Sequence, residues 1–288
     1  MRWLFAVAAL VYVTACGWTL HQYHLFASVA GRMTLCGFAA LAIMLIMFYV
    51  ARRQNRLDIV DTGWGLSFVA IAVTGFVLQN GPLLQWKPQD LVVIMVCLWA
   101  LRLSWFIFSR WRRSPTEDVR YTNIRKKWSS SQIGLRALLS IFVLQAFLAV
   151  LVSIPVIHIT LSSDVVWSGW MLAGGLICAS GLLLETIADY QTAQYLRQKK
   201  RPPLLTTGLR KNVRHPNYLG ELLVWWGFAI MSLGTPHGWV GLGGAAAITY
   251  LLVYVSGVPL KEQRLARHKG WEAYKAKTPA LIPGFNHR

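Results

Sequence analysis

Apolar and polar positions divide the chain into long apolar runs separated by short polar connections. Eight runs approach the length of a membrane span: 3–20, 33–50, 58–79, 91–109, 135–157, 166–188, 218–235 and 238–258. A helix rises 1.5 Å per residue, so about 20 apolar residues cross the hydrocarbon core of a bilayer. Several runs are rich in Gly, which membrane helices tolerate. Too few polar faces remain to solvate the outside of a soluble bundle. The pattern predicts an all-α, polytopic membrane bundle of about eight transmembrane helices, the last two joined by the tight turn "TPHG". Residues 1–57 are expected to supply the N-terminal transmembrane helices and 58–288 the main membrane domain, the two forming one structural unit.

Composition agrees. Of 288 residues 55% are hydrophobic and 14% charged, with a mean hydropathy of +0.44; a soluble domain carries about 25% charged residues. The net charge of +18 raises the question of nucleic acid, but the placement of the basic residues answers it. Three fall in 51–57, eight in 110–136, seven in 197–214 and seven from Lys261 onward, with Arg2 ahead of the first run. The opposite loops hold only Arg32 and Lys87, and Arg102 lies within a run. This is the positive-inside distribution, which predicts both termini cytosolic and the basic loops against anionic lipid. No nucleic-acid recognition module is visible. The opening "MRWLFAVAALVYVTAC" resembles a signal peptide, but its charged region is a single Arg, so an uncleaved first span is expected. Cleavage would leave seven. Cys16, Cys36, Cys97 and Cys178 all lie in apolar runs without paired spacing, so no metal site is expected from them.

The informative residues are the ionisable ones inside apolar runs. Asp61, Glu185 and Glu221 fall within runs and Asp189 at the end of one, four of only eleven acidic residues. Such groups are costly at membrane depth unless they are paired or functional. In "LLLETIADYQ", Glu185 and Asp189 are four apart and share a helix face. They need cations, hydroxyl donors or a ligand opposite, and interhelical salt bridges to Arg would serve as well. In "VRHPNYLGE", Pro216 opens a helix whose first N–H groups lack helical partners, a setting that favours anions, flanked by Arg214 and His215. Asn217 and Glu221 lie four apart on one face of that helix. Two readings stay open: a capped helix with a buried, hydrogen-bonded Glu, or a pocket that grips an anionic, hydroxyl-rich cofactor. Arg102 in "WALRLSWF" is expected to neutralise Asp61 in "VDTGWG" or to join that pocket. The loop motif "SPTEDVRYTNIRKKW" offers Glu117, Asp118, Arg120 and Tyr121, either merely solvated or reaching the site. The tail from Val258 reads as a short amphipathic helix followed by Pro-punctuated coil.

"RHPNYLGE" resembles the signature of the C-terminal half of the steroid 5-alpha-reductase superfamily. With "DIVDTGWG", "LRLSW", "EDVRY", "ETIADYQ" and "VPLKEQRL…WEAYKAKTPALIPGF", the stretch from Asp58 to Phe285 resembles its bacterial branch, the DUF1295 proteins. Isoprenylcysteine and phospholipid methyltransferases share a similar Arg-His-Pro segment and bind S-adenosylmethionine there. The reductase resemblance implies a membrane enzyme, in the bacterial inner membrane, that takes NADPH from the cytosol and a lipid-like, steroid- or enone-type substrate from the bilayer, and reduces an activated C=C bond. It implies cofactor contacts from Arg102, Glu185, Asp189, Asn217 and Glu221, with Arg214, His215 and Tyr218 in the same segment. Asp61 falls roughly where the family's substrate-binding carboxylate lies. It is the expected proton donor if burial protonates it, with Tyr121 in reserve. Trp99 stands where the steroid enzymes carry a Tyr, and Asn212 where they carry an aromatic; both departures bear on the substrate more than on reduction. The alternatives are an S-adenosylmethionine-dependent lipid or isoprenylcysteine-type methyltransferase and a non-catalytic membrane scaffold.

Overall fold

The computed structural model describes residues 28–81, 84–129 and 132–284. The first apolar run, 3–20, lies outside the described residues, and so does Cys16. Among the described residues the chain is entirely helical, and six helices are long and apolar enough to cross a membrane.

Helix α1 (Val29–Gln54) is opened by Ser28, whose hydroxyl accepts from the Gly31 N–H at 3.1 Å. It stops at Asn55, which adopts the left-handed conformation (φ 50°) common at helix ends. After a short turn α2 (Val60–Asn80) runs back, and α3 (Pro88–Arg113) follows with Pro at its first position. A short helix α4 (Val119–Arg125) fills part of the long basic connection. Next comes α5, Ile133–Val152, which includes a π-helical stretch over Leu138–Val143. Helix α6 (Ile154–Leu161) follows immediately. The run 135–157, expected to be one span, thus divides at Ser153. The cause is Pro155, which lacks an N–H and cannot continue the preceding helix.

The second half holds α7 (Gly169–Arg197) and α8 (Pro216–Ser232). Then come α9 (Gly241–Tyr250), a π turn, α10 (Val258–Leu265) and α11 (Trp271–Lys277). At 17 residues, α8 is not among the six, whereas α9, the π turn and α10 together count as one of them, Gly238–Leu265.

Helix α2 is the axis of the bundle: 78% of its apolar stretch is buried, against 33–39% for the other five long helices. Those five present apolar side chains outward, such as Leu176 at 72% exposure and Phe147 at 63%. An apolar exterior of this kind is matched by lipid rather than water.

The pair α7/α8 fixes the site. Their glycines meet backbone to backbone. A Cβ on Gly181 would lie 2.6 Å from the Gly220 carbonyl oxygen, and one on Gly174 2.5 Å from that of Gly227. The low-numbered glycine of one helix meets the high-numbered glycine of the other, so the helices run antiparallel. Close approach through small residues is how membrane helices gain packing energy when lipid removes the hydrophobic drive.

Candidate functional site

The glycine contact has a chemical consequence. Glu185 follows Gly181 by one helical turn, and Glu221 follows Gly220 directly. Bringing those backbones together sets two buried carboxylates against each other, with Glu185 at 2% exposure and Glu221 at 8%. The Cβ of Glu185 itself touches the Gly220 position.

The two carboxylates are treated differently. Arg102, from α3, forms an ion pair with Glu185 Oε1 at 2.5 Å and donates to Asp189 Oδ2 at 2.7 Å. The indole N–H of Trp99 donates to Glu185 Oε2 at 2.9 Å. Glu185 is therefore satisfied on both oxygens. Glu221 makes no hydrogen bond or ion pair with any described residue, although Glu185, Arg102 and Asp189 are its electrostatic neighbours. One turn deeper on α8 the apolar floor begins. Trp225 packs on Phe68 (ring centroids 4.7 Å apart) and on Trp99 (5.3 Å). The buried Trp225 indole N–H has no hydrogen-bond partner among the described residues.

The expected pairing of Arg102 with Asp61 is corrected by this geometry. Arg102 reaches across to α7, and Asp61 belongs to a separate cluster. There the Asp61 carboxylate accepts from Arg120 Nη2 at 2.6 Å and from the Tyr121 hydroxyl at 2.5 Å. Asp61 is thus the acceptor of an ion pair and not a carboxyl isolated by burial. Burial first, then the neighbouring Asp61, pushes the Tyr121 phenol well above its usual range, so it stays protonated. The rest of "EDVRY" is equally engaged and is not merely solvated. Asp58 accepts from Arg56, from the Trp111 indole and from the Asp118 backbone N–H. Glu117 accepts from the Leu57 N–H and from Arg125. Asp118 accepts from Arg120 and from Arg264 of α10. Burial alone would raise the Asp118 carboxyl, but the Arg120 N–H and the two guanidinium groups outweigh it and hold it at about 2.

The opening of α8 also differs from expectation. Arg214 is turned away, toward the C-terminal segment. It donates to Glu262 Oε1 at 2.6 and 2.8 Å and to the carbonyls of Lys275 and Thr278. The backbone N–H groups of Arg214 and His215 are taken by the Pro279 and Ala280 carbonyls at 2.8 and 3.0 Å. His215 is fully buried, with Nε2 3.2 Å from Glu262. Burial lowers it to about 4 against the opposing pull of Glu262, so the ring is neutral near pH 7. These groups anchor the chain end behind the helix start. Asn217 and Tyr218, by contrast, face the site. Asn217 Oδ1 accepts from Lys261 of α10 at 3.2 Å. Tyr218 lies within electrostatic reach of Glu221, Arg120, Arg110 and Arg210, which joins the two clusters into one region.

Of the ten residues singled out from sequence, Arg102, Glu185, Asp189 and Glu221 interact between α3, α7 and α8, and Tyr218 lies within electrostatic reach of Glu221. Asn217 stands one turn before Glu221 and is held by Lys261, Asp61 and Tyr121 form the neighbouring cluster with Arg120, and Arg214 and His215 turn toward the C-terminal segment. Three further members were not singled out. Lys261 and Arg210 carry no local signal beyond basic charge. Trp99 appeared only as a departure from a family pattern, and its partner Glu185 lies on another helix. Among the described residues no group of three or more His, Cys, Asp or Glu is arranged for a metal ion. A shallow pocket of about 230 Å³ opens at the end of α7, lined by Tyr190, Gln194, Tyr195 and Thr207. Several of its polar groups bond within their own neighbourhood, including Gln194 to Tyr190 and Tyr195 to the Pro202 carbonyl, and it contains none of the buried charges.

Comparison with known proteins gives one match. The family model described as "Protein of unknown function (DUF1295)" covers residues 47–278. No curated protein and no solved structure matches the chain. With most of its length covered by that model, the chain belongs to the DUF1295 family.

Proposed function

We propose that this protein is an NADPH-dependent reductase of an activated C=C bond in a lipid-like substrate, with the cofactor entering the α3/α7/α8 chamber from the basic, cytosolic face. The observation that carries the reading is Glu221. A buried carboxylate with no partner, beside another that is fully satisfied, costs several kcal/mol. Ribose hydroxyls and a carboxamide N–H are donors of the kind it lacks. Asn217 stands one turn away on the same face, and Glu185 is held rigid by Trp99 and Arg102.

When bound, the nicotinamide supplies the hydride chemistry, and the protein supplies position and electrostatics. Tyr121 is the better donor of the two candidates first named, because Asp61 is engaged by Arg120. Rotation of the Tyr121 hydroxyl from Asp61 to a substrate carbonyl oxygen stabilises negative charge developing there. Asp61 and Gln145 hold the ring in place for that movement. The aromatic floor of Phe68, Trp99 and Trp225 keeps the inner end dry, which strengthens each of these interactions.

Thermal melting of the detergent-purified full-length protein tests the reading. A ligand that binds only the folded state stabilises it by roughly 2.7 kcal/mol at about 100 times its Kd. NADPH is expected to raise the melting temperature and S-adenosylmethionine to leave it unchanged. The reverse result assigns the chamber to methyl transfer, and no shift with either removes the cofactor reading.

A further inference from the structure

Helix α10 lies against the start of α8 and the cap of α4, held there by three side chains. Glu262 holds Arg214 and His215, Arg264 holds Asp118, and Lys261 points inward to Asn217 and Tyr218. The first two are ion-paired or hydrogen-bonded on charged partners. Lys261 is the exception. Its ammonium rests 3.2 Å from an amide oxygen and 4.7 Å from the Tyr218 ring centroid, with no described carboxylate within salt-bridge distance.

The surroundings increase the imbalance. Arg210 and Arg110 oppose the charge of Lys261, and Asp189, the carboxylate that favours it, is already held by Arg102. Arg210 is itself buried and uses its guanidinium on a carbonyl and a hydroxyl, the Arg214 oxygen at 2.6 Å and Thr192 Oγ1 at 3.1 Å. Burial lowers the affinity of Arg210 for its proton, as expected of a cation without a carboxylate partner. Positive charge thus gathers around Lys261 without a free carboxylate among the described residues to neutralise it. A neutral amide and a π-face are weak partners for an ammonium, and both leave room for a stronger anion.

We infer that Lys261 is an anion-binding residue of this site, taking phosphoryl oxygens of the bound ligand in place of the Asn217 amide, with Arg210 and Arg110 supplying the surrounding field. The inference rests on the chamber being a ligand site, and on the nucleotide reading only for the source of the phosphate. Phosphoryl oxygen on a dinucleotide or on a lipid headgroup presents the same chemistry to Lys261. A strap that carries its own phosphate ligand also couples binding to closure, because the anion ties α10 to α8.

The test uses inorganic pyrophosphate, NADPH and phosphatidylglycerol nanodiscs on the full-length protein, and compares wild type with Lys261→Gln and Lys261→Arg. Pyrophosphate is expected to raise the melting temperature of wild type and Lys261→Arg but not of Lys261→Gln. NADPH affinity is expected to fall about tenfold or more in Lys261→Gln, the effect of one charge-assisted hydrogen bond. Acetylation of wild type, read by mass spectrometry on the Lys261 peptide, gives a measure that needs no variant: pyrophosphate is expected to protect that amine. Protection by pyrophosphate and by phosphatidylglycerol but not by NADPH supports Lys261 as an anion ligand and overturns the nucleotide as its source. An acetylation rate unchanged by pyrophosphate, or pyrophosphate stabilising wild type and Lys261→Gln alike, overturns the inference and leaves the cofactor reading standing.

Discussion

Two acidic clusters lie side by side at the basic end of this bundle and behave in opposite ways. In the cluster of Asp58, Asp61, Glu117 and Asp118, every carboxylate accepts from at least two donors. In the cluster of Glu185, Asp189 and Glu221, one arginine serves two carboxylates and the third has no partner among the described residues. In sequence the two look alike, as acidic residues in or beside apolar runs. The difference is saturation. A saturated cluster fixes a loop against the ends of helices, and an unsaturated one is held open for something else. Arg120 sits on the boundary, bonded to Asp61 in the first cluster and within electrostatic reach of Tyr218, which in turn reaches Glu221 in the second.

The comparison can be broken by removing members of each set, and the largest effect is expected in the saturated one. Asp58→Ala leaves Arg56, the Trp111 indole and the Asp118 N–H without their acceptor. Breaking a buried pair in this way costs about 3–5 kcal/mol. The yield of monodisperse protein is expected to collapse; a yield equal to wild type would mean that the cluster is ornamental.

Acid should act next, through His215. Its folded value of about 4 lies below its ordinary 6.5, so between those values the unfolded chain binds more protons than the folded one. Stability is fully present above pH 6.5 and is lost as pH falls toward 4, by up to about 3 kcal/mol. Asp118 contributes only lower, with stability lost as pH falls from 3.8 through about 2. Melting temperatures measured from pH 8 to 4 check this, and His215→Phe is expected to flatten the upper part of the profile.

A smaller effect is expected at the helix contact. A Cβ at Gly220 meets the Gly181 carbonyl oxygen at 2.7 Å and the Glu185 backbone N at 2.8 Å, where only backbone movement relieves it. Gly220→Ala should cost about 1–3 kcal/mol, as overpacking does. It should also weaken ligand binding by parting the two walls that carry Glu185 and Glu221. An unchanged melt would contradict the close packing.

How much of this was legible beforehand follows from what a linear pattern records. The apolar runs gave the helices, because burial in lipid needs only length and composition. Gly174 and Gly181, like Gly220 and Gly227, are seven apart in plain sight, but which glycine meets which is a matter of three-dimensional register. Arg102 illustrates the limit. Its depth was readable and its partner was not, since Asp61 and Asp189 both stand near the basic ends of their helices and only the packing of α3 chooses between them. The "RHP" segment misled about two residues. Charge at a helix start suggests an anion site, yet Arg214 and His215 are used by a chain end some 50 to 65 positions away. The unpartnered state of Glu221 lay beyond sequence altogether, because it is defined by what surrounds it.

The most direct test of the central claim is Glu221→Gln, the change with the smallest expected effect on folding. The amide has the same shape and is cheaper to bury, so no described partner is lost. The melting temperature should stay at the wild-type value or rise. A hydrogen bond to a charged group is worth roughly 1.5–3 kcal/mol, so NADPH affinity should fall about ten- to a hundredfold. Both quantities are measured on the same purified protein. A destabilised variant that binds NADPH with wild-type affinity would show that Glu221 is structural, and would contradict the account.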